Sequence, residues 1–148
     1  MGIAQFLNET VLHSITYLGN PLILAVIALA AFGFSHSFLI AVIGLAIVEA
    51  TCIFIKLLYF KQRPRRQKFT NIIERLDASS FPSVHAARSS FLYLYLAWFA
   101  AIPAKIAFIA VILAVSMSRI LLKKHYIIDV LAGYGIGILL LLACISLK

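Results

Sequence analysis

Acidic residues are scarce in this chain: only 5 of its 148 residues are Asp or Glu, and charged residues of both signs make up 12%. A soluble domain carries about twice that share, so an ordinary water-facing fold is excluded. Cysteine is nearly absent too. Cys52 and Cys144 each lie in an apolar run without a CxxC pattern or a neighbouring histidine, so they read as small buried hydrophobes and say little about redox compartment. The N-terminus lacks a basic n-region and an A-x-A-like cleavage site, and the first apolar segment is expected to be retained. What remains is hydrocarbon, with 64% hydrophobic residues and a mean hydropathy of +1.05. The length holds about five membrane spans of ~20 residues, because ~1.5 Å of rise per residue must cover ~30 Å of bilayer core. The expected class is all-α: a multi-pass transmembrane bundle of about five spans plus an N-terminal amphipathic helix, with residues 1–148 forming one domain.

The charge that is present is mostly positive, giving a net +8, and Lys61, Arg63, Arg65, Arg66 and Lys68 crowd into one short stretch. A loop between spans offers no nucleic-acid-binding module. Basic juxtamembrane runs are topology signals or contacts to anionic headgroups, so no nucleic-acid partner is expected. The bilayer itself and a phosphorylated lipid are the nearer partners.

Residues 3–18 alternate apolar and polar side chains at roughly helical spacing, as suits an amphipathic helix at the membrane interface. Asn20-Pro21 then supplies a cap and a first-turn proline, opening a short span to about Phe34. Such a span must tilt, thin the bilayer or borrow length from the preceding helix. A second span is expected over about Phe38 to Leu58, followed by a long polar loop from Tyr59 to Phe81 that reads as a functional lid or rim. Ser83 caps a third span to about Ile102, Pro103 starts a fourth that ends near Leu121, and a fifth runs from His125 or Tyr126 to about Leu147. Gly133, Gly135 and Gly137 in that last span read as close helix packing, since no strand precedes them to make a dinucleotide loop. Threading these spans puts the end of the second, the start of the third and the junction of the last two on one side of the membrane.

Three polar clusters thereby converge. His125 and Asp129 are four residues apart, so on a helix the carboxylate reaches a ring nitrogen, fixes the tautomer and leaves the other nitrogen free to attack phosphorus. The same spacing also suits a plain helix-start pair. Lys56, Arg63 and Arg119 offer fixed positive charge for the oxygens of a phosphoryl group, although an isolated Lys or Arg at a span end can simply snorkel. Ser83 and the amides at the start of the third span add neutral donors at a helix N-terminus. His85, close to that terminus, is placed to protonate a leaving group. Glu49 lies seven residues before Lys56 and needs a partner at that depth. Arg88 is a candidate for it, or for Asp77, or for a headgroup contact.

Lys56 with six residues before Arg63-Pro64, then Pro82-Ser83-Val84-His85, then Ser118-Arg119 with five residues before His125 and three more before Asp129, resembles the type 2 phosphatidic acid phosphatase family. That resemblance implies an α-helical membrane fold and metal-independent hydrolysis of a lipid phosphate through a phosphohistidine, with no metal site and no cofactor. By position it implies His125 as nucleophile, Asp129 as its orienting carboxylate, His85 as general acid, and Lys56, Arg63, Ser83, the Val84 amide and Arg119 as the phosphate clamp. Two departures stand out. Val84 occupies a place where the family usually has glycine, and the first span of many relatives is reduced here to the amphipathic stretch.

The function expected is therefore an integral-membrane phosphatase acting on a polyprenyl diphosphate or a phosphatidic-acid-like lipid. The alternative is a catalytically silent lipid-phosphate-binding or scaffold protein, disabled at Val84. Only Lys105 and Lys148 among the 13 basic residues fall opposite the site, so the positive-inside rule points to a cytoplasmic site in the cell membrane. Neither oligomeric state nor the choice of lipid has a spacing signature.

Overall fold

The computed structural model describes residues 3–146, and they form seven helices with no strand among them. The first, α1 (Ile3–Tyr17), winds down through successive tight turns at Leu18, Gly19 and Asn20 before Asn20 caps α2 (Pro21–Phe32). The Asn20 carboxamide accepts the Leu22 N–H at 3.0 Å, and Pro21 loses nothing at a position whose N–H has no helical partner. The axes of the two helices differ by 53°, and together they are apolar enough to count as one broken span. Such a bent pair is either a broken span or a re-entrant loop.

Gly33, at φ 56°, ends α2 in a conformation that L side chains resist, and Ser35 caps α3 (His36–Leu58), which starts two residues earlier than the sequence suggests. The connection that follows is an ordered strap. Lys61 and Gln62 run antiparallel to Ser79 and Ser80, joined by an isolated bridge, by Ser80 N–H to the Lys61 carbonyl at 2.7 Å and by Ser80 Oγ to the Gln62 carbonyl at 3.3 Å. Between them lies a helix not foreseen from sequence, α4 (Ile72–Ala78), capped by Asn71 with Glu74 reaching back to Thr70. The Asn-x-x-Glu spacing was the available signal for it.

Three further helices complete the chain: α5 (Val84–Phe99), α6 (Ile102–Leu121) and α7 (Ile127–Ser146). The α5 helix stops at Phe99, short of the expected Ile102, because Ala100 and Ala101 are extended and Pro103 lies in the first turn of α6. By length and composition α3, α6 and α7 can each cross a membrane, and the bent α1/α2 pair makes a fourth. At 16 residues α5 covers only about 24 Å and is the central helix, packed against α2, α3, α6 and α7. Its side chains meet protein on nearly every side, which is how a helix containing Arg88, Ser89 and Ser90 is accommodated in an apolar bundle.

Glycine sets the closest of these contacts. A Cβ on Gly137 would sit 2.1 Å from Ser90 Oγ and 2.5 Å from the Ala87 carbonyl, and one on Gly133 would sit 2.5 Å from the Ser83 carbonyl. Gly135 faces open space. The expected glycine packing therefore holds for the two residues on the α5 face, one turn apart, and not for the one between them. This close seam fixes the start of α5 against the start of α7, which is where the site lies.

Candidate active site

The C-terminal end of α3, the strap with α4, the N-terminal end of α5, the C-terminal end of α6 and the turn that follows it surround a cavity of about 300 Å³. Its polar wall consists of Lys56, Arg63, Asp77, His85, Arg119 and His125, with Glu49 and Arg88 deeper; Ile53, Ile73, Leu76 and Val84 form the apolar wall. Four cations face two carboxylates, so the cavity carries net positive charge suited to an anion.

His125 lies in the turn between α6 and α7. Lys123, at φ 54°, reverses the chain, and the amides of Lys124 and His125 converge on the Arg119 carbonyl at 3.1 and 3.3 Å. The ring is buried, with Nδ1 2.6 Å from the Ser80 carbonyl oxygen. Only a protonated Nδ1 can satisfy that oxygen, so Nε2 is the bare nitrogen. Burial, reinforced by the positive charge of Arg119 and opposed by the Ser80 bond, holds the His125 pKa far below the ordinary imidazole value. The ring is thus neutral at neutral pH, with a lone pair on the atom that can reach a substrate.

The expected pairing of His125 with Asp129 does not form. Helix α7 begins at Ile127, so His125 is outside it and four residues no longer amount to one helical turn. Asp129 is fully buried as the third residue of α7, where Oδ2 accepts the Tyr126 N–H at 2.8 Å and Oδ1 meets Lys61 Nζ at 2.7 Å. It caps the helix and fastens the strap. Ser83 is also set back from the cavity: Oγ accepts the Ala86 N–H at the start of α5, and its own N–H donates to the Asp129 carbonyl at 2.9 Å. The other six residues singled out from sequence, Lys56, Arg63, Val84, His85, Arg119 and His125, all line the cavity.

The cations differ in how far they are already engaged. Lys56 Nζ donates to the carbonyls of Ser79 at 2.7 Å and Leu76 at 3.2 Å, leaving one of its three donors. Arg63 reaches Gln67 at 2.6 Å and the exposed Asp77 at 3.3 Å through its terminal nitrogens, but its Nε is buried without a partner. Arg119 Nε is likewise buried and unpartnered. Orphaned buried donors are rare because each costs about 1–3 kcal/mol, and two in residues that line one cavity suit an acceptor-rich ligand. Arg88 pairs with Glu49, as their depth in the apolar bundle requires. Val84 is the first residue of α5 and has no left-handed backbone, so glycine's freedom is not needed here.

Two functional groups had escaped sequence reading. A backbone carbonyl such as Ser80 has no residue signature at all. Lys61 stood in the basic run, and only the folded strap gives it Asp129 as partner, with the Tyr126 ring 4.7 Å from its ammonium.

Comparison with known proteins shows the family and the fold. The sequence pattern of the PAP2 superfamily matches residues 37–148. Decaprenylphosphoryl-5-phosphoribose phosphatase of Mycobacterium tuberculosis, in strains CDC 1551 and H37Rv, is 30% identical over 102 residues, covering 69% of this chain. The chain spans about half the length of these curated relatives, 56%. Among solved structures, a transmembrane PAP2 type phosphatidylglycerolphosphate phosphatase from Bacillus subtilis superposes with a TM-score of 0.73 at 20% identity, covering 94% of this chain and 75% of that one. With three to four apolar helices able to cross a bilayer and the family pattern running through cavity and bundle alike, the chain is an integral membrane protein of the PAP2 superfamily.

Proposed function

We propose that this protein is a membrane lipid phosphatase, hydrolysing the terminal phosphate of a polyprenyl diphosphate or a phosphatidic-acid-like lipid through a phosphohistidine on His125. One observation carries the reading: Arg63 and Arg119, each with a buried and unpartnered Nε, line one cavity together with a neutral, tautomer-fixed histidine. In the first step Nε2 attacks phosphorus and the P–O bond to the lipid breaks, while His85, held neutral by burial and by the positive charge of Arg119 and Arg88, takes up the proton that a phosphate monoanion brings and passes it to the departing oxygen. Arg63, Arg119, Lys56 and the Val84 amide hold the equatorial oxygens as charge spreads over them. In the second step His85, now neutral, takes a proton from water, whose oxygen displaces His125 and releases inorganic phosphate. The arginines and lysine carry the charge-neutralising role that a metal ion fills elsewhere, so turnover should survive EDTA.

The names of the relatives support a phosphate on a lipid-borne headgroup as the substrate type. A cytoplasm-facing site in the cell membrane accords with the charge bias, Lys105 being at the far end of α6. Cysteine-accessibility labelling within 59–81 tests that orientation. For the activity, purified protein in detergent should release phosphate from a lipid panel, and His125→Ala should not. Release from no lipid, or full turnover by His125→Ala, would contradict the proposal. Lipid binding without turnover, restored by Val84→Gly, would select the silent-binder alternative.

A further inference from the structure

Glu49 and Arg88 line the same cavity as the two histidines yet have no task in the phosphoryl transfer. They lie deeper. Glu49 is seven residues before Lys56 on α3, about 10.5 Å further from the site end, and Arg88 is three residues after His85 on α5, about 4.5 Å further. Filling a bundle does not call for an ion pair, since apolar side chains of similar volume pack at least as favourably. Its geometry is also incomplete as a purely internal pair. Arg88 engages one carboxylate oxygen, Oε2, through both Nε and Nη2, while Oε1 and Nη1 have no protein partner among the described residues. The Glu49 side chain is 35% exposed, and the cavity is what it faces.

The pair is neutral as a unit, so it offers little attraction for a second anion. It leaves an acceptor, Oε1, on the carboxylate and a donor, Nη1, on the guanidinium edge away from Glu49, and a hydroxyl group can satisfy either, donating to the first or accepting from the second. We propose that Glu49 and Arg88 form an inner subsite for a hydroxylated headgroup, a polyol or sugar, lying between the terminal phosphate at His125 and the hydrocarbon tail. This rests on the phosphatase reading and narrows its substrate class. A polyprenyl diphosphate would instead turn its second phosphate toward the Glu49 carboxylate. Phosphatidic acid would bring esterified glycerol with no free hydroxyl. Both would leave Oε1 and Nη1 desolvated and unpaired, and sites with stranded polar groups discriminate strongly.

The test compares initial rates of phosphate release, in detergent, from three lipids: one with its phosphomonoester on a glycerol headgroup, a phosphatidic acid and a polyprenyl diphosphate. The wild-type kcat/KM should favour the first by about tenfold or more. Glu49→Gln and Arg88→Lys, each checked for its melting temperature, should compress that preference to within about threefold. Equal wild-type rates, a preference for either other lipid, or a preference that survives both substitutions overturns the subsite, as does an equal fall for all three lipids, which a merely structural pair would produce. Should either variant fail to fold, the other and the wild-type ranking still decide. Release from none of the three overturns the phosphatase reading itself, and the subsite with it.

Discussion

The two sides of His125 are built on opposite terms. Behind the ring every polar group has a partner: Ser80 holds Nδ1, Lys61 and the Tyr126 amide hold Asp129, and the Asp129 carbonyl holds Ser83. In front of it, Arg63 and Arg119 each keep a buried donor with nothing to bond, and Lys56 keeps one donor spare. Satisfied groups fix position, because moving them leaves a buried atom unpaired. Unsatisfied ones mark where a ligand completes the structure. On the proposed reading, the difference separates positioning residues from binding residues.

Breaking the front should cost most in rate. Arg119→Met removes a charged donor that the proposed mechanism assigns to the developing phosphoryl charge, and kcat/KM should fall by about 10²–10³-fold with the melting temperature little changed. Steady-state kinetics beside a thermal melt checks both halves of that expectation. Breaking the back should cost less rate and more stability. Lys61→Ala leaves the buried Asp129 without its cation, so kcat should drop about 10- to 100-fold with KM nearly constant and the protein less stable, by an amount on the order of 3 kcal/mol. Lys61→Arg should recover most of the loss, which a simple packing defect would not allow.

Smaller effects sharpen the comparison along the α5–α7 seam that carries both sides. Gly137→Ala forces a methyl against Ser90 and Ala87 and should destabilise the fold by about 1–3 kcal/mol, whereas Gly135→Ala, facing open space, should be neutral or slightly stabilising. Paired denaturation in detergent distinguishes them. The smallest effect is expected at Val84→Gly. Since Val84 already has a helix-start backbone, kcat/KM should shift by less than about threefold, within 1 kcal/mol. A large gain would mean that the valine side chain obstructs the cavity.

Front and back also differ in how far they could be read from sequence. Lys56, Arg63, His85, Arg119 and His125 are long polar side chains at the ends of apolar runs, so both their chemistry and their convergence follow from spacing and span count. The back was legible only in part. The role expected of Asp129 depended on His125 being helical, and a boundary two residues later cancels it, because helix ends are the least certain part of any such reading. Ser80 acts through its main chain, and no side chain announces it. Lys61 and Asp129 are 68 positions apart, so their pairing exists only after the strap has folded onto α7. The bundle itself was visible as five apolar segments in order, while the seven-residue α4 was hidden inside a charged loop.

In the proposed mechanism the back of the site presents Nε2 of a neutral His125 to a phosphate held at the front. The most direct measurement is to quench the enzyme during turnover of a ³²P-labelled lipid phosphate under alkaline conditions and to map the labelled residue and ring nitrogen. An acid-labile phosphohistidine is expected at His125, joined through Nε2 and absent from His125→Ala. Label on His85, label on Nδ1, or full turnover with no phosphohistidine formed would contradict it.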